Sequence, residues 1–170
     1  MNAQAENAPV PGRPMAARKR KFLVVVDDSS ECQVALRFAA GRAGHVEGGG
    51  IILFHVIPPS DFQHWIAVED RMREEAYEAA EELMRDVAAR VYDYSGVPPE
   101  IIIRTGQPKE ELQAFIEQEP DLFALFLGAN SGGDPGPLVD YFSGPLVGSL
   151  SCPVVIVPGC LSEEQIDEMV

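Results

Sequence analysis

Two short polar segments follow uninterrupted apolar runs, and each carries groups that can bind a ligand. Near the start, FLVVV runs into Asp27-Asp28-Ser29, which brings carboxylates and a hydroxyl together. Later, the apolar residues 122–127 run into Gly128-Ala129-Asn130-Ser131-Gly132-Gly133, where glycine lets backbone N–H groups approach an anion closely. If the two runs are neighbouring strands of one sheet, their ends form a single site.

Other chemistries fit these segments less well. Asp27-Asp28 resembles the acidic pocket of a phosphorylation receiver domain, but the Asp and Lys that such a domain needs are replaced by Leu127-Gly128 and Pro158-Gly159. Ser131-Gly132-Gly133-Asp134 resembles the SGG motif of ATP pyrophosphatases, which follows the first strand and not the fourth. The chain has neither a P-loop nor a G-x-G-x-x-G after the first strand. No Ser/His/Asp or Cys/His set can be assembled, so we expect no enzymatic activity.

The cysteines and histidines show no spacing typical of a disulfide framework or a metal site. Cys32, Cys152 and Cys160 include no C-x-x-C pair, and their odd number favours free thiols. The apolar neighbours of Cys32 and Cys152 predict that both are buried. The three histidines have no i, i+4 or zinc-finger spacing, so we predict no metal site.

Length, composition and charge indicate one globular domain and argue against two kinds of partner. The 170 residues are 46% hydrophobic and 24% charged, as in ordinary globular domains. No apolar run approaches the roughly 18–20 residues of a membrane span, and the start lacks the apolar core of a signal peptide. We therefore expect a cytoplasmic protein with no membrane contact. The net charge of −14 would repel a phosphate backbone, so nucleic acid is not an expected partner of the folded part.

The two ends of the chain are expected to lie outside the main domain. Residues 1–20 predict a disordered leader, because Pro, Ala and Asn are combined there with solvating charges. The folded domain is expected over residues 21–160, and a short C-terminal helix within residues 161–170. In that last segment Ser162-x-x-Gln165, with Leu161 and Ile166, predicts a capping box and a hydrophobic staple.

Apolar runs and helical repeats alternate along the chain in the order β-α-β-α-β-α-β-α-β. Strands are predicted at residues 22–26, 51–57, 100–104, 122–127 and 154–157. Four helices with apolar residues every three or four positions lie between them, and the last of these should kink or split at Gly144-Pro145. The longest runs from about residue 69 to 94, with a predicted buried stripe of Met72, Ala76, Ala80, Leu83, Val87 and Val91.

The alternation predicts the α/β class, with a doubly wound five-stranded parallel sheet and helices on both faces. In such sheets the strand order reverses once, and ligands bind beyond the carboxyl ends of the strands at that point. Asp27 and Gly128 would lie there as neighbours. The loop after the second strand carries Phe62, His64 and Trp65, which either latch onto the domain or cover a ligand or partner.

Five blocks of the chain resemble the universal stress protein family, in order, over about residues 21–159. FLVVVDDSSECQVALRFA resembles the family's first strand and helix, with Asp27 at the acidic position and Asp28 where glycine is usual. FHV at residues 54–56, Gly106-x-Pro108, DLFALFLG and CPVVIVP match the later blocks. The resemblance implies a sheet of order 3-2-1-4-5 in an adenine nucleotide alpha hydrolase-like fold. It also implies a homodimer through the fifth strand, Val154 to Val157, and a stress-linked role without catalysis.

The family's nucleotide-binding members carry G-x-x-G, nine residues, and then G-S or G-T. The glycine amides and the hydroxyl wrap the phosphates, while the first-strand Asp and a second-strand Val hold ribose and adenine. Here Gly128 keeps the first position, Ser131 stands at the second, and Asp140-Tyr141 replaces G-S. A carboxylate at the phosphate end would repel ATP by about 1 kcal/mol or more at ~4 Å.

The resemblance therefore implies a nucleotide site that is degenerate or lost, in a module that regulates or contacts a protein partner the sequence does not name. The residues expected to line this site are Val25, Asp27, Val56, Leu127, Gly128 and Ser131, with Gly132 and Gly133 as phosphate donors. The alternative is an ATP-binding stress sensor or slow ATPase that uses the Gly128 loop, with ATP or another adenine nucleotide as its cofactor.

Overall fold

A computed structural model describes residues 19–59 and 66–170, in which parallel strands alternate with helices. The strands are β1 (Arg20–Val25), β2 (Gly49–Ile57), β3 (Glu100–Thr105), β4 (Leu122–Ala129) and β5 (Val154–Pro158). The helices are α1 (Ser30–Gly44), α2 (Ile66–Ser95), α3 (Pro108–Gln118), α4 (Pro137–Ser143) and α5 (Glu163–Asp167), with a 3₁₀ helix at Pro145–Ser149. None of the helices in these ranges is both long and apolar enough to cross a membrane. The loop that carries Phe62, His64 and Trp65 lies outside the described residues.

The five strands form one parallel sheet in the order β3-β2-β1-β4-β5, which confirms the predicted topology. The central strand β1 pairs with β2 on one side and with β4 on the other, through Val24↔Leu53 and Val24↔Phe126. Because the order reverses between β1 and β4, their carboxyl ends lie side by side at the switch point.

Helices cover both faces of the sheet, as predicted. Val24 and Phe126 belong to the core that packs against α1 and α2, while their neighbours Leu23 and Leu125 belong to the core that packs against α3 and α4. This alternation follows from the two-residue period of a strand, which sends successive side chains to opposite faces. Both faces of the central strands are consequently buried.

The helix ends agree with the signals in the sequence. The Ser29 hydroxyl accepts a hydrogen bond of 3.2 Å from the Cys32 N–H and caps α1. Gly96, with a φ of 70°, follows the end of α2 in the left-handed conformation that favours glycine. The predicted split before Pro145 is present, since α4 ends at Ser143 and a separate 3₁₀ helix begins. The capping box predicted at Ser162 is also present.

The predicted buried stripe of α2 is wrong in its first half. The Met72 side chain is 36% exposed, Ala76 is only partly buried, and full burial begins at Ala80. The helix is about 45 Å long at 1.5 Å per residue, whereas the neighbouring strands span only about 20–30 Å. Its first turns therefore extend past the sheet. Within the packed half, Met84 is fully buried and Leu83, which was predicted instead, is partly exposed.

All three cysteines are free thiols, as predicted. Cys32 is buried in the core beneath α1, and Cys152 in the core on the opposite face of the sheet. Burial raises the pKa of the Cys32 thiol to about 12 and also raises the pKa of the Cys152 thiol. Cys160, which follows β5, is exposed.

The C-terminal helix α5 packs against α1 and the end of α2. The Arg37 guanidinium donates two hydrogen bonds to the Asp167 carboxylate, from Nε to Oδ1 at 2.9 Å and from a terminal nitrogen to Oδ2 at 2.7 Å. The Tyr94 hydroxyl donates a third bond of 2.6 Å to Asp167 Oδ1. The Arg37 guanidinium, with the Tyr94 hydroxyl, holds the pKa of the Asp167 carboxyl down to about 2. Ile166 is buried beside this cluster.

Candidate functional site

A crevice of about 580 Å³ lies beyond the carboxyl ends of β1, β2 and β4, at the point where the strand order reverses. Its walls are the ends of these three strands and the first turns of α1, α3 and α4. The volume falls in the range of small-molecule sites, roughly 300–1,000 Å³. The structure therefore has a cavity at the position that the fold class predicts.

Five of the eight predicted site residues line this crevice, and all five lie at the carboxyl ends of the strands: Val25, Asp27, Val56, Leu127 and Gly128. Three do not line it, namely Ser131, Gly132 and Gly133. The loop between β4 and α4 instead reaches the crevice through its last residues, Pro135-Gly136-Pro137. The strand positions are thus where they were expected, and the glycine loop is not.

Hydrogen bonds within the loop explain why it folds away. The Asn130 side-chain oxygen accepts a hydrogen bond of 2.7 Å from the Gly132 N–H, and the Asp134 carboxylate accepts one of 2.9 Å from the Gly136 N–H. The Asn130 N–H donates to the Pro135 carbonyl at 3.2 Å and closes the loop. Asn or Asp placed two residues before the N–H that it accepts is a turn signal in the sequence. The amides of Gly132 and Gly136 are consequently already bonded within the loop.

The carboxylate of Asp27 is held at the mouth of the crevice by the start of α1. Its Oδ1 accepts hydrogen bonds from the Ser29 N–H at 2.9 Å and from the Ser29 hydroxyl at 2.5 Å. Asp28, the next residue, is exposed and does not line the crevice. The two adjacent carboxylates therefore have different surroundings, and only the first faces the site.

Gly128 is required by the packing of β4 against α1. A Cβ atom at this position would lie 2.2 Å from the Glu31 carbonyl oxygen and 3.1 Å from the Cys32 nitrogen. Both are backbone atoms of the first turn of α1, which cannot turn aside as a side chain can. The absence of a side chain at Gly128 thus sets the spacing between the strand and the helix, whatever the crevice binds.

The thiol of Cys32 and the imidazole of His55, both in the crevice, are bonded to the backbone of β1 or of the residue after it. The Cys32 thiol donates to the Val25 carbonyl at 3.4 Å, and its raised pKa keeps it protonated. His55 Nδ1 lies 2.8 Å from the Val26 carbonyl oxygen, so this nitrogen carries the proton. No cluster of three or more His, Cys, Asp or Glu that could hold a metal ion occurs in the described ranges.

The carboxylate that was predicted at the phosphate end does not reach the crevice. Asp140 is exposed and does not line the crevice, and Tyr141 packs on α3 instead. The Tyr141 hydroxyl donates a hydrogen bond of 2.9 Å to Gln113, and the Lys109 ammonium lies 5.3 Å from the centroid of its ring. The Asp140 carboxylate is therefore not among the charges that line the crevice.

Other charged residues line the crevice in its place. Asp27, Glu31 and Glu110 contribute carboxylates and Lys109 an ammonium, which gives the described lining a formal net charge of −2. Glu31, Lys109 and Glu110 were not predicted as site residues. They lie in the first turns of α1 and α3, and the first turns of crossover helices share the edge of the sheet with the strand ends. That placement was the signal which could have identified them.

The family of the chain follows from a comparison with known sequences. A sequence model of the universal stress protein family matches residues 19–158. The chain belongs to this family. No curated protein sequence matches this universal stress protein.

Solved structures of other universal stress proteins have the same fold. UspA from Lactobacillus plantarum is 23% identical, with 83% of this chain and 99% of that chain covered and a TM-score of 0.66. A family protein from Arabidopsis thaliana, solved with AMP bound, is 20% identical, with coverage of 82% and 91% and a TM-score of 0.56. A protein from Archaeoglobus fulgidus, solved in complex with dAMP, is 19% identical, with coverage of 81% and 96% and a TM-score of 0.56.

Proposed function

We propose that this universal stress protein is a non-catalytic regulatory or interaction module of the stress response, with a nucleotide site that keeps its nucleoside end and has lost its phosphate end. The observation that carries the proposal is the division of the predicted site. The residues expected to hold ribose and adenine, Asp27 and Val56, line the crevice, whereas Ser131-Gly132-Gly133 does not.

The proposed ligand class is an adenine nucleotide or its nucleoside. Two relatives of the same fold were solved with AMP and with dAMP, and those ligands belong to those proteins. In this chain, the walls beside Val25, Val56 and Leu127 are apolar and suit a flat base, and the Asp27 carboxylate at the mouth can accept hydrogen bonds from ribose hydroxyls.

The proposed lack of catalysis is supported by the chemistry of the lining. A nucleophile needs a neighbouring base or a lowered pKa, and the pKa of the Cys32 thiol is raised. His55 donates its Nδ1 proton to a backbone carbonyl, and no hydroxyl or thiol among the described residues bonds to its ring. Neither of these two contacts supplies an activated nucleophile or a free base for the alternative function, slow ATP hydrolysis.

The proposed assembly is a homodimer through β5, from Val154 to Val157. Within the described sheet β5 pairs on one side only, with β4, and so it is an edge strand. The Ile156 side chain is 40% exposed on this edge. Apolar edge strands favour pairing with a second chain. Light scattering at micromolar concentration should give twice the monomer mass, and Ile156→Lys should give monomers. A wild-type monomer would contradict the dimer.

Isothermal titration calorimetry of the purified full-length protein with AMP tests the ligand proposal. Asp27→Ala should weaken AMP binding by about tenfold or more, because hydrogen bonds to a charged group contribute about 1.5–3 kcal/mol. Asp28→Ala removes the same charge one residue away, outside the crevice, and should leave the affinity unchanged. Thermal unfolding of both variants checks that they are folded.

Three results would contradict the proposal. One is the absence of heat with both AMP and adenosine, and another is equal weakening by the Asp27 and Asp28 variants. The third is steady release of phosphate from ATP and Mg²⁺ by the wild type, which would replace the non-catalytic function with the ATPase alternative.

A further inference from the structure

We propose that the crevice selects adenine nucleosides with little or no charge and discriminates against nucleoside polyphosphates. This inference rests on the proposed function, since it names the ligand class of the same site. It concerns selectivity, which arises from the loop between β4 and α4 and from the charge of the lining.

Two amides of the loop are already bonded to side chains of the loop. Its Gly132 N–H bonds to the Asn130 side chain and its Gly136 N–H to the Asp134 carboxylate, so binding a phosphate oxygen at either amide means breaking a bond already made. The Asp134 carboxylate also places a negative charge next to Gly136, which lines the crevice. A neutral ribose needs neither amide, so it can bind without breaking the hydrogen bonds of these turns.

The charged side chains of the crevice also favour an uncharged nucleoside over a polyphosphate. Its described lining has three carboxylate residues, Asp27, Glu31 and Glu110, against one lysine and no arginine. That lysine, Lys109, is drawn toward the Tyr141 ring, 5.3 Å from the centroid, where a cation is attracted by the π face. Arginine is the residue most suited to bidentate binding of phosphate, and the lining lacks it.

A divalent cation would have to arrive with the ligand. No group of three His, Cys, Asp or Glu able to hold a metal lies among residues 19–59 and 66–170. The three carboxylates of the crevice come from the segment after β1, from α1 and from α3, and do not form such a group. The whole chain carries −14, which adds to the repulsion of a polyanion before it reaches the crevice.

The expected discrimination can be sized from the lining charge. A net charge of −2 facing about four phosphate charges at ~8 Å in water, screened over a Debye length of about 8 Å, weakens binding about tenfold. Adenosine, which carries no charge, avoids this factor. AMP should lie between adenosine and ATP.

Calorimetric titrations with adenosine, AMP and ATP, the last with and without Mg²⁺, test this selectivity. In the wild type, adenosine should bind about tenfold more tightly than ATP. The double variant Glu31→Gln with Glu110→Gln makes the formal lining charge zero and should tighten ATP binding about tenfold, with adenosine unchanged within twofold. The control Glu78→Gln with Glu82→Gln removes two exposed carboxylates of α2, outside the crevice, and should change neither affinity.

Each result either supports the selectivity or overturns it. Tighter binding of ATP than of adenosine, with or without Mg²⁺, overturns it together with the proposed loss of the phosphate end, and leaves adenine binding in the crevice standing. An ATP-to-adenosine ratio that is the same in the lining variant and the wild type also overturns it, because the lining charge would then have no effect. If none of the three ligands binds, the proposed function fails first and this inference fails with it.

Discussion

Replacing Gly128 with alanine should destabilise the fold in the absence of any ligand. The added Cβ would lie 2.2 Å from the Glu31 carbonyl oxygen and 2.5 Å from its carbonyl carbon, so β4 and α1 must move apart. Overpacking of a core costs about 1–3 kcal/mol, and the upper part of that range applies because backbone has to move. The smaller entropy of the unfolded alanine chain returns about 0.4–1 kcal/mol. The net expectation is a loss of about 2 kcal/mol, or about 4–8 °C in Tm.

Urea denaturation followed by far-UV circular dichroism measures this loss. The matched control is Gly148→Ala in the 3₁₀ helix, where an added Cβ meets nothing within 4 Å, and this variant should be as stable as the wild type or slightly more stable. Surface substitutions usually change the free energy of unfolding by no more than about 0.5 kcal/mol. If Gly128→Ala changes it by no more than that, the close approach is not a constraint and the reasoning fails. The same clash makes Gly128→Val unsuitable as a test of ligand binding, since loss of binding would follow from loss of the fold.

Three further predictions concern packing, thiol reactivity and the C-terminal helix. Phe142 is fully buried, so Phe142→Ala should lower the free energy of unfolding by about 3–5 kcal/mol. Phe123 is 48% exposed, so Phe123→Ala should lower it far less. Equal losses in the two variants would contradict this packing. A thiol reagent should modify one cysteine per native chain, Cys160, and all three after unfolding, so a second fast thiol would contradict the burial of the others. Asp167→Asn should lower the hydrogen-exchange protection of α5, because Tyr94 loses its carboxylate partner and Arg37 keeps only the ion pair with Glu163. The pKa of Asp167 is lowered from 3.8 to about 2, so the stabilisation by its carboxylate is fully present above pH 3.8 and is lost only as the pH falls toward 2. Hydrogen-exchange protection of α5 that differs between pH 5 and pH 8 would refute the role given to Asp167.

The fold could be predicted almost entirely from the sequence, because its signals are local and repeated. Apolar runs bounded by Gly and Pro indicated the strands, and apolar residues every three or four positions indicated the helices between them. The error in α2 arose because the periodicity of a helix does not reveal how far the sheet extends beneath it. Met72 has the correct spacing for the stripe and lies beyond the edge of the layer that would bury it.

The candidate site divides in the same way. Residues at the strand ends, such as Val56 in β2 and Asp27 just after β1, line the crevice because strand order and direction determine where strand ends lie. Residues on the loop after β4 could not be placed by counting from Gly128, since the turns at Asn130 and Asp134 set the path of that loop. Charges from the starts of α1 and α3 were missed because they are distant in sequence and meet only through the topology.

The contact between Gly128 and the first turn of α1 has a consequence for judging which related chains bind nucleotides. A glycine needed for packing is required whether or not the chain binds a ligand. Its presence therefore indicates the fold and gives almost no information about nucleotide binding. The discriminating information lies further along, at Ser131, at Asp140-Tyr141 and at the turn-forming residues of the loop. A motif score that weights all of these positions equally would count Gly128 as evidence for a ligand, although the packing of this chain requires it in any case.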